Sequence, residues 1–127
     1  MSTLKVDAVD PRTTGNIIAV GATKGNITAL TSAATITIDM ADSNNFSVTL
    51  GHNATFANPS NIVGGQCGSI FITQDGTGSR TASWGSYWDF VGGAAPTLTT
   101  TAAAIDRIDY VAVDSTNIQA VATLNYS

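Results

Sequence analysis

The chain has 127 residues, of which only 11% are charged, and its formal net charge at pH 7 is −4. Its five basic residues are scattered, so no basic cluster is available to neutralise the phosphates of a nucleic acid. No apolar run is long enough for a membrane-spanning helix, and no basic amphipathic helix is present that would bind a membrane surface. These properties argue against nucleic-acid and membrane partners. They fit one domain whose uncharged, Thr-rich and Asn-rich surface is largely covered by neighbouring molecules, and the alternative is a monomer with an uncharged, Thr-rich exterior.

The N-terminal segment differs from the rest of the chain. Its opening, MSTLKVDAVDPR, lacks the apolar stretch of a secretory signal, which indicates synthesis in a cytoplasm. Residues 3–9 alternate between apolar and polar side chains, but the segment as a whole is loosely patterned. We therefore predict an N-terminal arm or edge strand over residues 1–26 and one β module over residues 27–127.

Short strands follow in the first half of the module. Residues 27–30 and 34–40 are predicted strands, the second with Ile36, Ile38 and Met40 on one face. The next strand has a clear period of two, with one parity occupied by Phe46, Val48, Leu50, His52, Ala54 and Phe56. This pattern predicts a half-buried strand that is interrupted near Gly51 and His52.

Two hairpins are predicted in the second half. The sequence DGTG at residues 75–78 predicts a tight connection between strands over residues 69–73 and 81–90. Residues 106–113 and 118–126 form a last predicted hairpin across DSTN at residues 114–117. No long helical pattern appears. The predicted fold is therefore all-β, either an antiparallel β-sandwich or a jelly roll.

Reactive side chains are few, and they do not form a recognisable catalytic pattern. The single histidine, His52, and the single cysteine, Cys67, are both predicted to be buried structural residues. One Cys and one His are too few for a zinc site, and the oxygen-rich stretch at residues 39–45 lacks the spacing of a calcium loop. Asp106 and Asp109 have opposite parity, which disfavours a glycosidase pair. We therefore expect no enzymatic activity, no cofactor and no metal.

Three aromatic residues, Trp84, Tyr87 and Trp88, are the best candidates for a ligand or interface site. In a regular strand Trp84, Trp88 and Phe90 would share a face, and the two indoles would lie about 13 Å apart. That distance would suit the stacking of sugar rings. The favoured alternative is that these rings fill the core or a subunit interface, because aromatic side chains bury a large apolar area.

Several stretches of the chain resemble bacteriophage tail-fibre and related virion proteins, particularly those of marine phages. They are GQCGSIFITQDGTGSRT from Gly65, the aromatic run from Trp84 to Phe90, GGAAPTLTTTAAAIDRIDYVAV from Gly92, and the closing strand to Tyr126. The opening STLKVDAVDPRTTGN from Ser2 resembles the start of many such proteins. Together these stretches cover well over half of the chain.

The resemblance implies a non-enzymatic phage structural protein that forms homotrimers and is carried on the virion after synthesis in the host cytoplasm. Fibre proteins are usually long, whereas this chain is little more than an arm and one terminal module. We therefore expect a capsid decoration or cement protein, or a short fibre, whose partners are copies of itself and capsid or tail proteins. The alternative is a receptor-binding or carbohydrate-binding tip module that recognises a glycan of the host surface.

Overall fold

The computed structural model describes residues 24–127, which form nine strands and one short 3-10 helix. In this part of the chain no α-helix occurs, so the prediction of an all-β fold is confirmed. In chain order the elements are β1 (Ile27–Ala29), β2 (Thr35–Ile36), β3 (Asn45–Leu50), β4 (Ala54–Phe56), β5 (Cys67–Gln74), β6 (Ala82–Trp84), β7 (Trp88–Phe90), the 3-10 helix η1 (Val91–Gly93), β8 (Ile105–Asp114) and β9 (Asn117–Tyr126).

The strands form two sheets between which the chain alternates. The larger sheet has six strands in the order β1-β3-β5-β8-β9-β7, and the smaller has three in the order β2-β4-β6. From β1 to β6 each strand of one sheet is followed by a strand of the other, and successive strands within a sheet are parallel. The first half of the module is therefore a short β-solenoid with two parallel sheets. The β8–β9 hairpin extends the larger of these sheets.

Antiparallel pairing, which we expected throughout, is found only between β5 and β8 and between β8 and β9. The first six strands wind in one direction, so their pairs are parallel and do not have the topology of a jelly roll. The sheets nevertheless enclose one core, and the expectation of an all-β sandwich is confirmed.

The predicted hairpin at residues 75–78 is wrong, although the chain does turn there. β5 pairs with β8, and β6 pairs with β4 in the other sheet. Both edges of β5 are already paired, with β3 and with β8, and the buried side chain of Gln74 bonds to the backbone beyond the turn. Its amide nitrogen donates to the carbonyl of Arg80 at 2.9 Å, and its oxygen accepts from the Arg80 N–H at 2.9 Å. These two bonds satisfy the backbone of Arg80 while the chain crosses to the other sheet.

Two other sequence predictions are confirmed. The last hairpin joins β8 and β9 through a turn in which Asp114 Oδ1 accepts from the Thr116 N–H at 2.8 Å. The strand predicted from Phe46 to Phe56 is interrupted between β3 and β4, at residues 51–53.

The core lies between the two sheets and follows the predicted parity. β3 and β4 bury Phe46, Val48, Leu50, Ala54 and Phe56. The adjoining segment buries Ile36, Ile38 and Met40, as their common parity predicted. β5, β8 and β9 add further buried side chains from the larger sheet, among them Ile70, Ile72, Ile108, Tyr110, Ala112, Ile118 and Ala120.

The predicted N-terminal arm or edge strand over residues 1–26 lies almost entirely outside the described residues. Within residues 24–127, no helix is long and apolar enough to cross a membrane.

Candidate functional site

The three predicted site aromatics lie at a bend between β6 and β7. Gly85 forms this bend, and its N–H donates to the carbonyl of Phe56 at 2.8 Å. A side chain at Gly85 would come within 2.7 Å of the backbone nitrogen of Asn58, so the bend needs a glycine. The bend brings the ring centroids of Trp84 and Trp88 to 5.2 Å, in place of the 13 Å predicted for a regular strand.

The two indoles pack inward. Trp84 stacks on Phe56 with a centroid distance of 4.6 Å and an interplanar angle of 13°. Trp88 is 5% exposed, and its Nε1 donates to the carbonyl of Ala57 at 3.2 Å. Tyr87 is half-buried, and its backbone carbonyl accepts from the N–H of Ile118. Trp84 and Trp88 therefore join the two sheets from within and do not form a platform for sugar rings.

The predicted burial of His52 and Cys67 is wrong, because both residues are exposed. His52 lies in the interruption between β3 and β4, where strand parity no longer applies, and its Nδ1 is 3.1 Å from the hydroxyl of Ser32. Cys67 begins β5 on the outward parity, opposite to that of the buried Ile70. The parallel register of β3 and β5 puts His52 and Cys67 at opposite ends of the sheet, roughly 20 Å apart. They cannot act as a nucleophile and base pair.

Five of the described carboxylates accept local hydrogen bonds, those of Asp39, Asp75, Asp106, Asp109 and Asp114. Asp39 Oδ1 accepts from Asn61 Nδ2 at 2.8 Å and from the Ala41 N–H at 2.9 Å, and these bonds hold the pKa of Asp39 below its ordinary value. Asp106 is buried, whereas Asp109 lies on the outer face, so they are separated as their parity predicted. Among residues 24–127 no group of three His, Cys, Asp or Glu side chains is placed to hold a metal ion.

The outer face of β8 and β9 is the most unusual surface of the described chain, because large apolar side chains are exposed on it. Val111 is 50% exposed and Val121 is 49% exposed. They share a depression of about 270 Å³ with Val91, which is 81% exposed at the start of η1. A second depression of about 220 Å³ is lined by Phe71, Ile105, Arg107 and Tyr126. We call this surface the β8–β9 face and define it by Phe71, Val91, Ile105, Val111, Val121 and Tyr126.

Two opposite charges on the β8–β9 face neutralise each other. The Nε of Arg107 lies 3.0 Å from Asp109 Oδ1 and 3.1 Å from Asp109 Oδ2. Ser69, across the strand pair, donates its hydroxyl to Asp109 at 2.6 Å. The guanidinium carbon of Arg107 lies 5.3 Å from the ring centroid of Tyr126, in a cation–π contact. The surface thus combines apolar side chains with a charge pair whose partners belong to the same chain.

The sequence analysis did not identify this face, although its parity could have indicated it. In β8 the buried residues alternate with Ile105, Arg107, Asp109 and Val111, so the strand has apolar residues on both faces. A strand that is apolar on both faces is typical of one covered on both sides.

Comparison with protein-family models, with curated proteins and with solved structures finds no match to this chain.

Proposed function

We propose that this chain is a non-enzymatic structural protein of a bacteriophage virion. It assembles as a homo-oligomer, a trimer, and serves as a capsid decoration protein or a short fibre. The observation that carries this proposal is the β8–β9 face, on which Val91, Val111 and Val121 are about half exposed or more. Isolated exposed apolar residues are normal, but a contiguous patch is typical of an interaction site. The resemblance of residues 65–126 to virion proteins supports the same function.

The arrangement of the reactive groups supports a non-enzymatic role. His52 and Cys67 are separated by most of the length of the larger sheet, and the Arg107 guanidinium and the Asp109 carboxylate satisfy each other. The depressions on the described surface are shallow and largely apolar at the β8–β9 face. An active site would need converging polar groups in a concave pocket.

The alternative of a carbohydrate-binding tip loses its main support. It required an exposed face on Trp84 or Trp88, and both indoles pack against the core. The matching experiment is a glycan array probed with the wild-type protein and with Trp88→Ala, with the fold of each checked by circular dichroism. Binding that is lost in a folded Trp88→Ala variant would favour the tip module over the proposed assembly role.

The proposal is tested by the location and copy number of the protein in purified virions. We expect it to copurify with virions through a density gradient, at a stoichiometry measured by quantitative mass spectrometry against the major capsid protein. Hundreds of copies per particle would indicate capsid decoration, and a few trimers would indicate a short fibre. A protein that is abundant in the lysate of infected cells but missing from gradient-purified virions would overturn the proposal.

We also propose that the N-terminal segment anchors the protein to the virion by adding a strand to a capsid protein or to a neighbouring copy. Deletion of residues 2–16 is expected to abolish incorporation into virions while the purified protein still folds. The intact chain, supplied in the same complementation assay, is the control. Normal incorporation of the deletion variant would refute the anchoring role and leave the assembly proposal standing.

A further inference from the structure

We propose that the β8–β9 face is the surface through which copies of this chain contact one another, and that its occupant is the same face of a second copy. This inference rests on the proposed function as a homo-oligomeric protein and specifies the contact surface. It depends on the exposed apolar side chains of the face, on its area and on its internal charge pair.

The first argument is the apolar content of the face. Ile105, Val111, Val121 and Tyr126 are each between 37% and 50% exposed, so a partner would remove considerable apolar surface from water. Each Å² of apolar surface that is buried contributes about 25 cal/mol. The outer positions of β3 are instead polar, with Asn45, Ser47 and Thr49. The polar stretch of β3 separates this apolar surface from Ile27 of β1, which is 54% exposed at the edge of the same sheet.

The second argument is the area. Four adjacent strands, β5, β8, β9 and β7, carry the face. At about 4.8 Å per strand and about 3.3 Å per residue, strands of eight, ten, ten and three residues present roughly 500 Å² of flat sheet. The smallest stable, specific interfaces bury about 600 Å² on each partner. The face thus supplies most of the area that a specific contact with a second copy needs. In the proposed trimer it would turn toward the three-fold axis, where it meets the same face of the neighbouring copies.

The third argument is the charge. A face that packs on its own copy brings the same set of charges to both sides of the contact, and burying a charge is unfavourable unless it has a partner. The intramolecular pair of Arg107 and Asp109 meets this condition, and Tyr126 covers the guanidinium. A partner of strong opposite charge would find no free charge in this pair to bind. The face is apolar and its two charges neutralise each other, so a second copy of the same face suits it better as a partner than a strongly charged protein does.

The test measures the oligomeric state of the full chain by analytical ultracentrifugation. Val111→Lys combined with Val121→Lys is expected to raise the dissociation constant of the oligomer at least about tenfold. The matched control is Thr35→Lys, which adds a positive charge at an exposed position of β2 in the other sheet. This control should leave the dissociation constant unchanged. Circular dichroism and thermal melting at matched concentration check that each variant folds.

A second measurement needs no substitution. Cys67 is exposed and lies beside Val111 on the outer side of the sheet. Its reaction with a maleimide should therefore slow as the wild-type concentration rises through the dissociation constant. Cys67 is the only cysteine, so the modified fraction is read directly by mass spectrometry.

Three results would overturn the inference. The first is a wild-type protein that is monomeric at every concentration tested. The second is an oligomer that the Val111→Lys/Val121→Lys variant forms as tightly as the Thr35→Lys control. The third is a Cys67 thiol that glycans or lipid vesicles protect and that protein concentration does not. The first result would also contradict the proposed homo-oligomer, whereas the second and third would leave it standing and reject only this contact surface. The presence of the protein in purified virions is measured independently of all three.

Discussion

Gly68 occupies a position in β5 where any larger side chain would collide with the chain before β3. A methyl group on its Cα would overlap the backbone carbonyl oxygen of Asn44. That oxygen also accepts a hydrogen bond from the hydroxyl of Tyr110 at 2.6 Å, so a contact from the opposite strand holds the carbonyl in place. The close approach of the two backbones at this point therefore depends on the absence of a side chain.

We predict that Gly68→Ala lowers the free energy of unfolding by about 1–3 kcal/mol, because the added methyl group forces a backbone shift. The matched control is Gly76→Ala in the turn after β5, where an added Cβ meets no atom within 4 Å. It should change the free energy by no more than about 0.5 kcal/mol. Urea denaturation measures both variants, and equal stability of the two would contradict the close approach.

Asp106 is a buried carboxylate that organises the chain on both sides of β8. It accepts hydrogen bonds from the Thr99 N–H at 2.7 Å, from the Thr99 hydroxyl at 2.8 Å and from the Asn125 N–H at 2.8 Å. Asp106→Ala leaves two backbone donors without acceptors, and we predict a loss of about 2–4 kcal/mol in the free energy of unfolding.

The control for this prediction is Asp42→Ala, which removes an exposed carboxylate from the turn before β3. Asp106→Asn keeps one accepting oxygen and should fall between the two variants in urea denaturation. If Asp106→Ala unfolds at the same urea concentration as Asp42→Ala, the three hydrogen bonds contribute no net stability.

At the scale of the strands, the sequence predicted the features that depend on neighbouring residues, namely turns and the alternation of buried side chains. The β8–β9 hairpin follows from two apolar runs separated by a turn whose Asp114 bonds to Thr116. Burial along β3 and β4 follows from a period of two. Strand pairing was not predictable in the same way, since parallel partners such as Phe46 and Ile70 are distant in the sequence. At the predicted hairpin β5 pairs with β3 and β8 instead of β6, and the buried Gln74 that bonds to Arg80 there has no distinct pattern in one sequence.

In the candidate site, too, the features that depend on residues distant in the sequence were not predicted. The types and positions of Trp84 and Trp88 indicated an aromatic cluster, and the favoured prediction that they fill the core agrees with their packing. The predicted distance between the two indole rings was wrong because the chain bends at Gly85. That bend depends on contacts with Phe56 and Asn58, which lie in a distant part of the sequence. The exposed positions of His52 and Cys67 likewise depend on where β3 ends and β5 begins.

Tyr110 joins β8 to the start of β3, and its titration reports on that contact. Burial, with a smaller contribution from the Cys67 thiol, raises the pKa of Tyr110 to about 12 from its ordinary value of 10.0. The folded chain therefore holds this proton more tightly than the unfolded chain does. Its contribution to stability is complete below pH 10 and is lost as the pH rises through about 12.

We predict that absorbance at the tyrosinate wavelength rises with one late step near pH 12 that Tyr110→Phe abolishes. Tyr126→Phe is the control, because Tyr126 lies on the exposed β8–β9 face, and this variant should keep the late step. Denaturation in urea across the same pH range should show a shallower loss of stability for Tyr110→Phe than for the wild type. A late step that persists in Tyr110→Phe would contradict the burial of this hydroxyl.

The chain combines a low charge with an apolar outer surface, the β8–β9 face, in its described part. Only 14 of its residues are charged, and the net charge is −4. Two arginines of the described residues have a partner within the chain, Arg80 with Asp75 at 2.7 Å and Arg107 with Asp109 at 3.0 Å. Association between copies would therefore depend on apolar contact, while the net negative charge of each copy opposes it weakly.

This balance predicts how self-association responds to salt. Raising NaCl from about 0.05 to about 0.5 M screens the repulsion between copies and should strengthen association only slightly, by a factor of about three or less. Ammonium sulfate should strengthen it further, because excluded salts favour the burial of apolar surface. Sedimentation equilibrium of the wild type measures both effects, and the Val111→Lys/Val121→Lys variant shows how much of the sulfate response belongs to the β8–β9 face. An oligomer that dissociates as NaCl rises would require ion pairs between copies, with Arg107 and Asp109 exchanging partners across the interface.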